Sequence, residues 1–426
     1  MESEVSIHSQ RQVLFIASIF PPAGGPGVQR SAKFVRYLPG CGWKPIVLTV
    51  HEPRGRLRDD SLLAEIPPET VIVRARTLEP KDDNRSLLRY LIWGPLTPLS
   101  VPDMGNWWLP GALPAALREL RSRPISALYA TGAPFSSHIL AALLKARTGL
   151  PLLLDYRDEW TLNPLSDRQR RRYWMTLFRP WERAMQRWTV NKANRVILVT
   201  DSAHRAFVNA YGDAGKFAVI RNGYDAEDFE AAVAPRLSPD RLHIVYAGST
   251  REFDSRPEAF LRGLRLAIER VNTLRDALQV HFIGEFDEAS RRLTNQLGLE
   301  TVVHAAGYVP HRESVGYLKA ADALLLIAWS VPTRVPGKTY EYLAARKPVL
   351  ALTPADAEPL RLFRAAGVAT WCDPQDPGHV AEKLIELEEK WRQKVLQAQI
   401  DEDFVRSFER KRLTAQLARI LDEMVR

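Results

Sequence analysis

The sequence predicts an α/β protein made of two doubly wound parallel-sheet domains in tandem. Three observations predict it. Short β-rich runs alternate with amphipathic helical patterns along both halves of the chain, the mark of a parallel sheet with helices on both faces. At 426 residues the chain is too long for one core and suits two domains of roughly 200 residues each. A polar segment, Ala231–Asp240 with Pro235 and Pro239, separates the two alternating patterns as a linker would.

The first half supplies strand candidates at Val13–Ser18, Pro45–Val50, Thr70–Ala75, Ala127–Thr131, Pro151–Tyr156, Arg195–Thr200 and Phe217–Asn222. Between the first two, Val28, Ala32, Val35 and Leu38 fall at helical spacing, and Gly40 and Gly42 stop that helix. The second half repeats the pattern, with strands at His243–Gly248, Val280–Gly284, Val302–Gly307, Ala323–Ala328, Pro348–Thr353 and Val368–Cys372. Its first helix opens near Pro257 and carries a stripe of Phe260, Leu264, Ala267, Ile268 and Val271. Asp403–Arg426 reads as a charged amphipathic helix outside the strand count.

Composition narrows the class. Hydrophobic residues at 46% and charged residues at 26% are ordinary for a soluble globular protein. Cys41 and Cys372 are far apart with no CxxC, so a disulfide framework or cysteine zinc site is not indicated and a reducing compartment fits. The acidic start Met1–Val5 lacks the apolar core of a secretory signal, and the longest apolar run, Ala323–Trp329, is too short to span a bilayer. A cytoplasmic protein is expected. The net charge of +9 favours anionic partners without choosing among phosphates, nucleic acid and an anionic membrane.

The most informative segment is Pro336–Val349: a glycine turn, Lys338, a short helix with Glu341 facing inward, then a buried strand. A helix start offers free N–H groups and a positive dipole end to an anion. A glutamate one turn further in suits hydroxyls attached to that anion, and together they describe a nucleotide sugar. An ordinary glycine turn before a core helix fits the same residues. Two other motifs fail on inspection. Gly337-Lys338-Thr339 ends like a P-loop, but Pro332 stands where its first glycine belongs. Gly25–Arg30 begins like a dinucleotide fingerprint, but Arg30 occupies the third glycine's place, and the acidic residue is missing from the second strand's end.

Taken together, the motifs resemble glycosyltransferase family 4, retaining enzymes of the two-domain GT-B fold, over nearly the whole chain. Phe20–Arg30 looks like the family's glycine loop after the first strand. Thr131–His138 and Leu154–Trp160 look like one of its bacterial branches. Val219–Asp225 is similar to its "NG-x-D" junction, and Gly307–Pro310 with Ala321–Ala323 to its base-binding neighbourhood. The resemblance implies two Rossmann-like domains facing across a cleft. They would be an acceptor-side domain over 1–230 and a donor domain over 241–402, with 403–426 packing back towards the first. It implies a nucleotide-diphosphate sugar as substrate, no cofactor, no metal, and a glycan or lipid-linked acceptor.

By position, Arg256 resembles the family's diphosphate-binding lysine, Lys338 sits beside the donor loop, and Glu341 matches the glutamate that holds the ribose. The amides of Gly337, Lys338 and Thr339 would face the phosphates. Gly24, Gly25 and Gly27 would let backbone approach the donor. Arg30 is a phosphate candidate or part of a solvated face. Tyr308 and Val309 flank the base, or simply pack. Asp158 contacts the acceptor or reacting sugar, or pairs with Arg157, itself on the acceptor side. His138 opens a helix, where capping or packing competes with catalysis.

Three departures stand out. Thr333 lies where the first glutamate of the family's Glu-x7-Glu pair belongs. Gly248 is followed by Ser249 and Thr250 instead of arginine, with Arg251 as its substitute or not. Arg157-Asp158 replaces a histidine common in the family. A same-fold epimerase and a non-catalytic partner protein are therefore the rival readings.

Asp167–Trp188 interleaves seven arginines with Tyr173, Trp174, Phe178, Trp181 and Trp188. Such a stretch suits peripheral contact with an anionic membrane at the inner face, or aromatics packed on the domain with solvated arginines. No nucleic-acid module is recognised. Pro102–Trp108 is a further candidate for the acceptor side, its tryptophans either stacking on sugars or buried.

Overall fold

The computed structural model describes residues 10–24, 26–52, 58–78, 101–163, 178–251 and 255–426. Gly25 and residues 167–177 of the basic stretch lie outside the described residues.

The chain forms two compact units. The first holds residues 1–221 and 410–426, the second 222–409. The sheet of the first unit has seven parallel strands: β1 (Arg11–Ile16), β2 (Trp43–Val50), β3 (Val71–Ala75), β4 (Ile125–Gly132), β5 (Leu152–Tyr156), β6 (Arg195–Leu198) and β7 (Phe217–Val219). Their order is β3-β2-β1-β4-β5-β6-β7, so the chain reverses direction across the sheet between β1 and β4. Strands β1, β4 and β5 each carry a buried apolar run, Val13–Ile16, Ala127–Ala130 and Leu152–Leu154, as expected where helices cover both faces of a parallel sheet.

Four helices of this unit matter for the site. They are α1 (Pro26–Tyr37), α2 (Leu109–Ser122), α3 (Ser136–Thr148) and α4 (Arg179–Lys192). The tail folds as a short turn over Glu402–Arg406 and then a separate helix over Arg410–Val425, rather than one helix from Asp403. Leu413, Leu417 and Leu421 of the Arg410–Val425 helix recur every fourth residue and are buried in the core that holds Val13, Val35 and Trp43. Asp422 accepts from Trp43 Nε1 at 3.1 Å and pairs with Arg11 at 3.0 Å.

The second unit has six parallel strands: β8 (Leu242–Ala247), β9 (Leu278–Ile283), β10 (Val303–Gly307), β11 (Ala323–Ile327), β12 (Val349–Leu352) and β13 (Ala369–Cys372). Their order, β10-β9-β8-β11-β12-β13, is again Rossmann-like, with the reversal between β8 and β11. Its relevant helices are α5 (Ala226–Ala231), α6 (Glu258–Arg270), α7 (His311–Ala320) and α8 (Lys338–Ala345). The segment through Val233 belongs with this unit by contact. Lys319 on α7 donates to the carbonyls of Phe229 at 2.6 Å and Ala232 at 2.8 Å. A side chain at Gly316 would strike the carbonyl of Val233. The sequence-predicted strands overlap all of those found. None of the described helices is long and apolar enough to cross a membrane.

Candidate active site

In an open parallel sheet, ligands gather at the carboxyl ends of the strands where the strand order reverses. Each unit places sequence-predicted residues there.

In the first unit, the reversal lies between the loop after β1 and the turn after β4. The core beneath it is a buried ion pair. Asp155, at the end of β5, is fully buried. Its carboxylate accepts from Arg30 Nε at 2.9 Å, Arg30 Nη2 at 3.0 Å, Tyr129 Oη at 2.6 Å and Thr131 Oγ1 at 3.2 Å. Burial alone would raise its pKa, but the Arg30 charge and these hydrogen bonds outweigh it and hold the carboxyl below its usual range. Arg30 also donates to the carbonyls of Ile220 at 2.9 Å and Arg221 at 2.8 Å. Neither expectation for Arg30 survives: at 0% exposure it is not on a solvated face, and its guanidinium is engaged by protein oxygens, not turned to a phosphate.

Arg157 fastens the loops above this pair. It donates to the carbonyls of Gly132 at 3.1 Å, Gly27 and Ala133. A Cβ on Gly27 would collide with its guanidinium, so the glycine there admits Arg157. Gly24 is buried in the same loop. Asp158 follows on the exposed side, and its charge favours the protonated Arg157.

His138 stands in the first turn of α3 and is fully buried. Its Nε2 lies 3.2 Å from the Asp155 carbonyl, and its ring packs on Tyr156 at 4.4 Å. Burial pushes its pKa down to about 3, so it is neutral. Of the roles open to His138, this burial and ring contact fit packing. Trp108 is buried as well, at 1% exposure, and belongs to the core beside α2.

In the second unit, three neighbouring strands end in glycines with positive φ: Gly248 after β8, Gly284 after β9 and Gly307 at the end of β10. A Cβ on Gly284 would meet the Gly248 carbonyl at 2.5 Å, and one on Gly248 would meet Lys338 Nζ at 2.8 Å. Gly248 and Gly284 therefore make room for a close-packed floor, and Lys338 reaches across the reversal point to lie on it. Its ammonium sits 3.8 Å from the centroid of the Tyr246 ring, a cation–π contact. Tyr246 is itself fixed through its hydroxyl, which donates to the Ser249 carbonyl at 2.9 Å.

Glu341 is on the first turn of α8, 20% exposed, and its Oε1 is 2.9 Å from His311 Nε2. Gly337 is at φ −55°, a conformation any residue adopts. The Thr339 amide does not face outward as expected: it donates to the Pro336 carbonyl at 3.0 Å, and the residue is fully buried. Tyr308 is 65% exposed, while Val309 is partly buried against the core under α7 and α8. Arg256 is exposed just before α6. Arg251 pairs with Glu285 at 3.5 Å on the surface, and Ser249 Oγ donates to the other oxygen of that carboxylate at 3.1 Å. Among the described residues, no cluster of three or more His, Cys, Asp or Glu is arranged to hold a metal ion.

Residues 32–228 match the model of Glycosyltransferase Family 4, and residues 241–390 that of Glycosyl transferases group 1. The chain carries the two domains of a glycosyltransferase, the first matching family 4 and the second group 1. The two matches meet near the boundary between the compact units, one to each sheet. No curated protein matches the chain in sequence.

Solved structures share the fold over its full length. HepE of Anabaena, in complex with UDP and glucose, is 16% identical with a TM-score of 0.61, over 97% of this chain and 100% of that one. Sucrose-phosphate synthase of Thermosynechococcus elongatus is 15% identical with a TM-score of 0.64, over 97% and 98%. A putative UDP-N-acetylglucosamine 2-epimerase of Listeria monocytogenes is 14% identical with a TM-score of 0.58, over 97% and 95%. At such identities the likeness concerns the fold. The glycosyltransferase assignment rests on the family matches. Sequence reasoning missed Arg30–Asp155, Tyr246 and His311. Only Asp155 carried a signal, a lone acid inside an apolar strand.

Proposed function

We propose that the protein is a retaining, metal-independent glycosyltransferase that moves a sugar from a nucleotide diphosphate to a glycan or lipid-linked acceptor in polysaccharide or glycoconjugate assembly. The observation that carries the donor half is Lys338. Its ammonium rests at the strand-order reversal of the second unit, above the Gly248 floor and beside the start of α8. When the sugar leaves, the bonding electrons pass to the diphosphate oxygen and negative charge gathers there. A cation already held beside that oxygen lowers the barrier without reorganisation. Arg256 supplies a second positive charge from the start of α6, and Glu341 holds the ribose. Asp158, exposed at the end of β5, serves the reacting sugar or its acceptor. Retention and independence from metal follow from the family resemblance. The UDP complexes of HepE make a uridine nucleotide the first donor to try.

The test is incubation with UDP-, GDP-, ADP- and TDP-sugars and cell-extracted acceptors, following nucleotide release, with and without EDTA. Turnover of none of them sinks the proposal. Conversion of the donor without acceptor identifies an epimerase, and binding without transfer identifies a non-catalytic relative, the outcome that Thr333 makes worth checking. The anomeric proton of the product, read by NMR, decides retention.

The lipid-linked acceptor draws support from α4. Trp181 is 61% exposed there, and Arg183 and Arg187 are exposed on the same helix, the arrangement that lies on anionic bilayers. Sedimentation with liposomes with and without phosphatidylglycerol tests it; equal recovery in both removes the membrane.

A further inference from the structure

We propose that His311 is a positioning residue of the donor site, which orders Glu341 before the donor arrives. This rests on the reading of Glu341 as the residue that holds the ribose. Three helices of the second unit bring the groups together: Asp228 from α5, His311 as the first residue of α7, and Glu341 from the first turn of α8. His311 Nε2 lies 2.9 Å from Glu341 Oε1, and Nδ1 lies 3.9 Å from Asp228 Oδ2. All three are partly buried, with side-chain exposures of 24%, 20% and 11% for His311, Glu341 and Asp228.

The chemistry assigns the proton. An ionised carboxylate only accepts, so Nε2 carries the hydrogen that points to Glu341, and the short contact is of the charge-assisted kind. At 3.9 Å the Asp228 oxygen is beyond hydrogen-bond reach. It acts as a negative charge on the far side of the ring and strengthens the ring as a donor. A glutamate on an open helix turn samples many rotamers, and fixing it when a ligand binds weakens binding roughly 3- to 10-fold per ordered side chain. Here one oxygen is held in advance by a histidine that is itself set at a helix start. The histidine touches no phosphate or sugar in this scheme; it acts through Glu341.

The experiment uses the full chain and whichever of UDP-, GDP-, ADP- or TDP-glucose the wild type binds by calorimetry. His311→Ala is expected to raise the donor Kd and KM about 3- to 10-fold with kcat within twofold. His311→Gln, whose amide donates from about the Nε2 position, restores most of the loss. The double change His311→Ala with Glu341→Gln binds no more weakly than Glu341→Gln alone. Should His311→Ala not fold, His311→Gln against His311→Leu carries the same comparison. Glu341→Gln that weakens the donor while His311→Ala leaves it unchanged overturns the role of His311 alone. Glu341→Gln with unaltered donor affinity overturns the reading of Glu341 beneath it. A wild type that binds none of the four overturns both.

Discussion

Replacing Asp155 by Asn should cost the first unit more than any other single isosteric change near its site. The carboxylate is fully buried and accepts four hydrogen bonds, two of them from the Arg30 guanidinium at 2.9 and 3.0 Å. The amide keeps the shape but removes the charge and turns an NH2 group towards donors. Arg30, also fully buried, is left with an uncompensated charge. Breaking a buried pair from one side typically costs about 3–5 kcal/mol, against a total stability of about 5–15 kcal/mol. For a unit of this size, each kcal/mol moves the melting midpoint by about 2–4 °C, so a fall of about 6–20 °C is expected. Thermal unfolding reads the midpoint and urea titration the free energy, both followed by tryptophan fluorescence, because Trp43, Trp108 and Trp160 are buried in this unit. Replacing both partners, Arg30→Met with Asp155→Leu, removes the orphaned charge and should recover part of the loss. The same pair sets acid lability. The folded carboxyl titrates below its unfolded value, so its contribution is present above about pH 4 and is lost as pH falls through the folded value. An Asp155→Asn protein within about 1 kcal/mol of wild type would refute the reasoning, since no buried charge would then have been unmasked.

Other outcomes follow from the second unit and the tail. His281 is pushed down to about 4 by burial first and by His243 and His304 next, so its stabilising contribution is present above about pH 6.5 and falls between there and pH 4; after discounting for solvent screening, about 1–2 kcal/mol should disappear over that window, and His281→Gln should flatten the urea midpoint against pH. Gly248→Ala forces a side chain into a φ of +126° and against Lys338 Nζ, so stability should fall by about 1–3 kcal/mol and donor turnover more steeply than in Gly215→Ala, where the added carbon meets nothing closer than 3.5 Å. Leu417→Ala, at 0% exposure in the Arg410–Val425 helix, should cost about 2–5 kcal/mol in the same titration while leaving donor affinity intact.

Much of the fold is legible from periodicity alone. Apolar runs such as Leu324-Leu325-Leu326-Ile327 announce buried parallel strands, and glycines such as Gly248, Gly284 and Gly307 mark where they stop. The helix α8 is legible because its lysine, glutamate and turn lie within one short stretch. What escapes is pairing across sequence distance. Arg30 looks like a surface residue one turn after a glycine loop, and only its partner 125 residues away makes it a core residue. His311 has no unusual neighbours in sequence; its meaning comes from α8, 30 residues further on. The burial of His138 and Thr339 is hidden for the complementary reason. A polar residue at a helix start is read as facing outward, while the layer above each of them buries it.

The helix Arg410–Val425 gives the molecule an order of assembly. It completes the core of a unit whose strands all precede residue 222. During synthesis at about 5–20 residues per second, the first sheet waits on the order of 10–40 s with the surface around Trp43 and Val35 uncovered. The second unit, contiguous over residues 222–409, is synthesised during that wait, its last residue just before the helix. The earlier half of the protein is thus sealed only after the later half has been made.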